Sequence, residues 1–97
     1  MRLTLHERVE TALRYLAPEE QKRAINALEA LKHQNARLNR QRLPRLSPSQ
    51  GSEQLFLYRV SPRLRAIVRY SEDDSAVVIE DLVSHAVLKR HFRRVDS

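Results

Sequence analysis

The stretch from Leu55 to Val83, LFLYRVSPRLRAIVRYSEDDSAVVIEDLV, leaves a chain of this kind few folds to choose from. Three segments rich in Val, Ile, Leu and aromatic residues are separated by two turn signals, Ser61-Pro62-Arg63 and Ser71-Glu72-Asp73-Asp74-Ser75. β-Branched and aromatic residues suit a pleated, half-buried surface, and short polar turns join antiparallel neighbours, so the stretch predicts a three-stranded meander. In the middle segment a period of two sets Leu64, Ala66, Val68 and Tyr70 on one face and Arg65, Ile67 and Arg69 on the other. The first face predicts a core, and the arginines of the second predict a working surface.

The residues before the meander supply what covers that core. Arg2 to His6 alternates polar or charged residues with leucine, as a short strand does. From Glu7 to Leu16 the residues Val9, Leu13 and Leu16 fall at helical spacing. Ala17-Pro18-Glu19-Glu20 then restarts a helix, with proline at the first helical position and acids in the first turn. This second helix, to Lys32 or His33, offers Ala24, Ile25, Ala27, Leu28 and Leu31 as its buried stripe and Lys22, Arg23 and Glu29 as its wet face. After the meander, Ser84 is placed to cap a short helix from Val87 to Phe92. Val87, Leu88 and Phe92 form its apolar side, and Lys89, Arg90, Arg93 and Arg94 keep the other side basic. With 97 residues there is room for one core, so residues 1–97 are read as a single domain. The predicted class is α+β: a β-α-α-β-β-β-(α) chain with a four-stranded, mainly antiparallel sheet. The helical hairpin lies on one face and the terminal helix near the other.

Charge is distributed unevenly along the chain. No acid stands between Glu29 and Glu53, while Lys32, Arg37, Arg40, Arg42 and Arg45 accumulate in a segment carrying Pro44, Pro48 and Gly51. Its first part is read as a helix extension and its second as a loop. Residues 1–50 hold ten Lys and Arg against five acids, and residues 51–97 hold eight against seven, so the net charge of +6 is concentrated in and before this loop. Two readings stand: a solvated linker, or a surface for phosphates or an acidic partner, to which the guanidinium fork is well matched. The absence of Cys excludes disulfides and thiolate chemistry. His6, His33, His85 and His91 lack metal-ligand spacing, so no metal and no cofactor are expected. No apolar segment reaches the length of a membrane span, and Met1 to Glu7 does not read as a signal peptide, which makes the cytoplasm the expected location.

With a single Gly the chain cannot build a Gly-rich phosphate loop. What remains for chemistry is a set of basic and aromatic groups: Arg59, Arg63, Arg65 and Arg69, Tyr58 and Tyr70, and His85 and His91. These suit cleavage of RNA through its own 2′-hydroxyl, which needs a base, an acid and fixed positive charge around the phosphorane, and no metal. Each group also has a structural reading. Arg59 and Arg69 can pair across the sheet with Glu80 or Asp81. Tyr58 and Tyr70 can serve packing. Arg65 opens a strand after a tight turn, where its neighbours should hold the guanidinium, and His85 stands where the last strand ends. His6 and His91 read as surface residues.

The segment Leu57-Tyr58-Arg59-Val60-Ser61-Pro62-Arg63-Leu64-Arg65-Ala66-Ile67-Val68-Arg69-Tyr70, followed by Val77-Val78-Ile79 and Val83-Ser84-His85, resembles the RelE/ParE toxin superfamily. Val9, Leu13, Leu16, Pro18, Ile25, Leu28 and Leu31 resemble that family's helical hairpin. The resemblance implies the toxin of a type II toxin–antitoxin system, held inactive by a small acidic antitoxin. It implies a ribosome-dependent, metal-independent mRNA endoribonuclease that inhibits translation. Arg65 matches the family's phosphate-contacting arginine, Arg59 the basic position on the preceding strand, and His85 falls near the late basic or acid/base position, with His91 as second candidate. Arg37, Arg40, Arg42, Arg45, Arg63 and Arg69 are then expected on the RNA or ribosome side. The chain departs from the pattern at its end, where His91 and Phe92 stand in place of a catalytic tyrosine. The alternatives implied are a non-enzymatic inhibitor of DNA gyrase and a catalytically degenerate basic binding module.

Overall fold

The computed structural model describes residues 1–46 and 54–91, with 89–91 described through their backbone. Its elements are β1 (Arg2–Leu5), α1 (Glu7–Arg14), α2 (Pro18–Leu31), α3 (Ala36–Arg42), β2 (Phe56–Arg59), β3 (Leu64–Tyr70), β4 (Ala76–Ser84) and α4 (His85–His91). The sheet order is β1-β4-β3-β2, antiparallel throughout except for the parallel β1–β4 pair. The meander and the mainly antiparallel sheet are thus as the sequence predicts.

Local chemistry sets the helix starts. His6 caps α1, its Nδ1 accepting from the backbone N–H of Arg8 at 3.1 Å, and Glu7 and Glu10 sit in the positive first turn. Pro18 opens α2 where its missing N–H costs nothing, followed by Glu19 and Glu20. Val9 and Leu13 of α1 and Ala24, Leu28 and Leu31 of α2 are buried against the sheet. Ile25, expected in that stripe, is 42% exposed. It lies one residue, about 100°, around the helix from Ala24, outside the face that Ala24, Leu28 and Leu31 share. Helix α1 also stops at Arg14, short of the expected Leu16, which nonetheless packs against the core.

The basic segment differs from the expected helix extension and loop. Residues 32–35 break the helix, and Asn35 starts a separate one, its Oδ1 accepting from the N–H of Leu38 at 3.0 Å. Arg37, Arg40 and Arg42 therefore stand on α3. Beyond it, the Leu57 N–H donates to Pro44 O and the Leu46 N–H to Leu55 O, so residues 44–46 cover the outer edge of β2. The part of the expected loop that holds Pro48 and Gly51 lies outside the described residues, as does Phe92.

Both faces of the sheet are packed. On the hairpin side Phe56, Ala66, Val68, Tyr70, Val77, Ile79 and Leu82 meet α1 and α2. Each large side chain fully buried here contributes roughly 1.5–3 kcal/mol. On the opposite side Leu88 of α4 packs with Leu46 and Leu57, flanked by Leu55, Ile67 and Val83. The arginine-bearing face is therefore half covered, and Arg65 and Arg69 flank an apolar patch centred on Ile67. Inward positions on β4 change parity, from Val77 and Ile79 to Leu82, because of a bulge. Ile67 pairs with Asp81 and Val68 with Ile79, leaving Glu80 as the extra residue.

Candidate functional site

The β2–β3 turn positions the basic groups. Ser61 and Leu64 exchange backbone hydrogen bonds of 3.3 Å, and Ser61 Oγ accepts from the Leu64 N–H at 3.2 Å, which closes the turn from both ends. Arg65, the next residue, folds back beneath it. Its Nη1 donates to Ser61 O at 2.9 Å and to Leu64 O at 3.1 Å, and the side chain is buried with the residue 4% exposed. A buried charge is tolerated when its donors are hydrogen-bonded, and the carbonyls of the turn take those of Nη1. The guanidinium is thus held by its neighbours, as the sequence suggests, but under the turn and away from open solvent.

Directly across the ladder stands Arg59, exposed, in register with Arg65. Burial first, and the Arg59 charge second, push the Arg65 guanidinium below its ordinary value. Among the described residues no carboxylate pairs with Arg59. Like charges directly opposite across strands are destabilising. An anion bound at the exposed Arg59 would relieve this repulsion.

His85 begins α4 one rung further along. Leu64 pairs with Ser84 and Arg65 with Val83, so the strand end and the turn meet, and the His85 N–H donates to Arg63 O at 2.8 Å. Ser84 caps α4 as expected, accepting from the Val87 N–H at 3.1 Å. His85 lines a cleft of about 410 Å³ together with Glu20, Arg63 and Ser84, walled by Leu16, Pro62, Leu64 and Ala86. Glu20 was not singled out from the sequence. It reaches Arg63 at 3.3 Å from the first turn of α2, a contact that spacing along the chain does not reveal. Arg59 and Arg65 are not among the cleft's lining residues. The structure therefore gathers Arg59 with Arg65, and His85 with Arg63, in adjacent sets at one end of the sheet.

The remaining candidates divide. Arg69 Nε donates to Glu80 at 2.8 Å, the cross-strand pair that its structural reading anticipates. Arg40 is turned inward, donating to Asp74 and to Ser71 O and lying over the Tyr70 ring. It is not displayed for RNA as the sequence suggests. Arg37, Arg42 and Arg45 are exposed, and none has an ion pair among the described residues. Tyr58 donates to Ala27 O at 2.9 Å, and burial pushes the Tyr70 phenol up, so both tyrosines serve packing. His91 ends α4, and its side chain lies outside the described residues. No cluster of three or more His, Cys, Asp or Glu that could hold a metal ion occurs among the described residues. No helix among them is long and apolar enough to cross a membrane.

A chain of the crystal structure of the archaeal RelE–RelB complex from Pyrococcus horikoshii OT3 matches this architecture with a TM-score of 0.64. The match covers 86% of this chain and 92% of that one, at 21% sequence identity. The fold is RelE-like. No protein-family model matches the sequence, and no curated protein is a significant match. At this identity the likeness is one of architecture, and chemistry has to be argued from the side chains.

Proposed function

We propose that this protein is the toxin of a toxin–antitoxin pair and that it cleaves mRNA on the ribosome without a metal ion. The observation that carries the reading is the Arg59–Arg65 pair. Two guanidiniums face each other across a ladder, one fixed beneath a turn and one exposed, at the end of the sheet where β4 hands over to α4. That arrangement favours a ligand whose negative charge increases along the reaction, as a phosphate does on becoming a phosphorane. Arg59 would contact the scissile phosphate, and Arg65 would add fixed charge beneath it. His85, one rung away, is the first candidate for proton transfer and His91 the second. Arg37, Arg42, Arg45 and Arg63 would face the ribosome. The RelE-like fold supports a cognate antitoxin as partner, since the similar structure is that of a RelE–RelB complex. A small acidic protein encoded beside the gene, recovered in pull-downs, is the expected companion.

Primer extension on transcripts from cells expressing the wild type, Arg59→Ala and His85→Ala tests the reading. Discrete new 3′ ends are expected with the wild type and not with either variant, and growth arrest should follow the cleavage. Intact transcripts in arrested cells would overturn the nuclease assignment, and an early DNA-damage response in those cells would point to gyrase as the target.

A further inference from the structure

We propose that Arg40 and Asp74 are positioning residues that hold α3 as a docking helix for the phosphate backbone of helical RNA. In this proposal Arg37, Arg42 and Arg45 make the contacts; it rests on the RNA-directed function argued above.

Helix α3 has seven residues and touches the main core with apolar side chains at its two ends, Ala36 and the C-cap Leu43, so its middle needs another anchor. A polar clamp supplies it. Arg40 Nε and Nη2 donate to Asp74 Oδ1 at 3.0 and 2.9 Å, and Nη2 also donates to Ser71 O at 2.9 Å. The same guanidinium lies 5.6 Å from the centroid of Tyr70. One residue earlier, Asn39 Nδ2 donates to Tyr70 Oη at 2.9 Å and to Gln34 Oε1 at 2.8 Å. Tyr70 is buried and edge-on to Phe56, so the clamp is seated in the main core. Asp74 is itself fixed, in left-handed backbone at φ 59°, with its N–H donated to Ser71 O at 3.0 Å.

With Arg40 engaged inward, Arg37 and Arg42 stand exposed on α3. Arg45 follows on the segment bridged to Phe56. No acid lies between Glu29 and Glu53 to neutralise them. Guanidiniums match phosphate oxygens in a bidentate way, and α3 carries no aromatic on which an unpaired base could stack. The chemistry therefore fits a sugar–phosphate backbone in a helical segment.

The test measures binding of the full-length protein to a labelled RNA hairpin across a series of salt concentrations. For the wild type, three phosphate contacts give a log–log salt slope of about 2–3. Asp74→Asn is informative because Asn tolerates left-handed backbone while the net positive charge rises by one. Electrostatics alone would make this variant bind more tightly; loss of positioning makes it bind about tenfold more weakly, with a slope lower by about one or more. Arg40→Lys keeps the charge, lacks the fork, and should move in the same direction, with circular dichroism showing both variants folded. Unchanged or tighter binding by both variants, with the wild-type slope retained, would overturn the positioning role and leave RNA binding standing. A wild type that ignores the hairpin but binds an acidic peptide would overturn the RNA occupant together with the functional reading on which it rests.

Discussion

Arg59 stands directly opposite Arg65 in the β2–β3 ladder, and its charge, after burial, is what depresses the guanidinium of its partner. A like-charged pair at a non-hydrogen-bonded ladder position, where facing side chains lie closest, is a cost that folding alone does not call for. Stability and activity should therefore move in opposite directions at Arg59. Arg59→Gln should stabilise the protein by about 0.2–1 kcal/mol in urea melts. The same change should slow mRNA cleavage by about thirty- to a thousandfold, as expected for loss of a charged contact made in the transition state.

Arg65 does not share that freedom. Its Nη1 holds the carbonyls of Ser61 and Leu64 under the turn, and removing the buried side chain loses these charged hydrogen bonds and leaves a void beneath the turn. Arg65→Ala should cost about 2–3 kcal/mol of stability, measured by chemical denaturation, so lost activity in that variant mixes folding with chemistry.

How much of this was legible in the sequence follows from which signals are local. The meander and the hairpin are, because Leu64, Ala66, Val68 and Tyr70 repeat every two residues and Val9, Leu13, Leu28 and Leu31 repeat at helical spacing. The bulge at Glu80 is not. It moves the inward position from Ile79 to Leu82, and only pairing with β3 defines it. Helix α3 was missed because its inward side, Ala36, Asn39, Arg40 and Leu43, is half polar and reads as no apolar stripe, while Leu38 is exposed; its one local signal is Asn35, a good N-cap followed by helix formers. At the site, Arg59 and Arg65 were legible from strand alternation. The inward turn of Arg40 and the approach of Glu20 to Arg63 were not, since each depends on a partner more than thirty residues away.

The turn before β4 carries a pH dependence. Asp73 accepts from Ser71 Oγ, Ser75 N and Ser75 Oγ, and the Ser75 side chain, its backbone and Ser71 together lower its carboxyl from 3.8 to about 2. A carboxylate depressed in the folded state favours folding above its unfolded value and loses that contribution as pH falls. The stability difference between wild type and Asp73→Asn should thus be full above about pH 4 and vanish towards about pH 2. Urea melts of both proteins across that range check it; a difference independent of pH would rule it out.

Tyr58 spans the sheet and the hairpin, its hydroxyl donating to Ala27 O at 2.9 Å. Tyr58→Phe removes one hydrogen bond and keeps the ring packing, so about 1 kcal/mol should be lost in denaturant melts. Because the hydroxyl points into the hairpin, cleavage by the folded variant should be unchanged.

Leu88 links the terminal helix to the rest of the protein. It is 1% exposed and packs with Leu46 and Leu57 on the sheet face opposite the hairpin, in a cluster separate from the main core. Leu88→Ala removes the apolar contact of α4, at a cost of about 2–5 kcal/mol if that face is to stay assembled. The hairpin, by contrast, rests on Phe56, Val68 and Ile79 on the other face. The variant should therefore open locally before it unfolds globally. Hydrogen exchange should accelerate in α4 and in the Leu46 amide, which bonds to Leu55 O, while Val68 and Ile79 stay protected. Since α4 begins at His85, cleavage should fall along with that local protection. Uniform acceleration across both clusters would show instead that the two faces unfold as one unit.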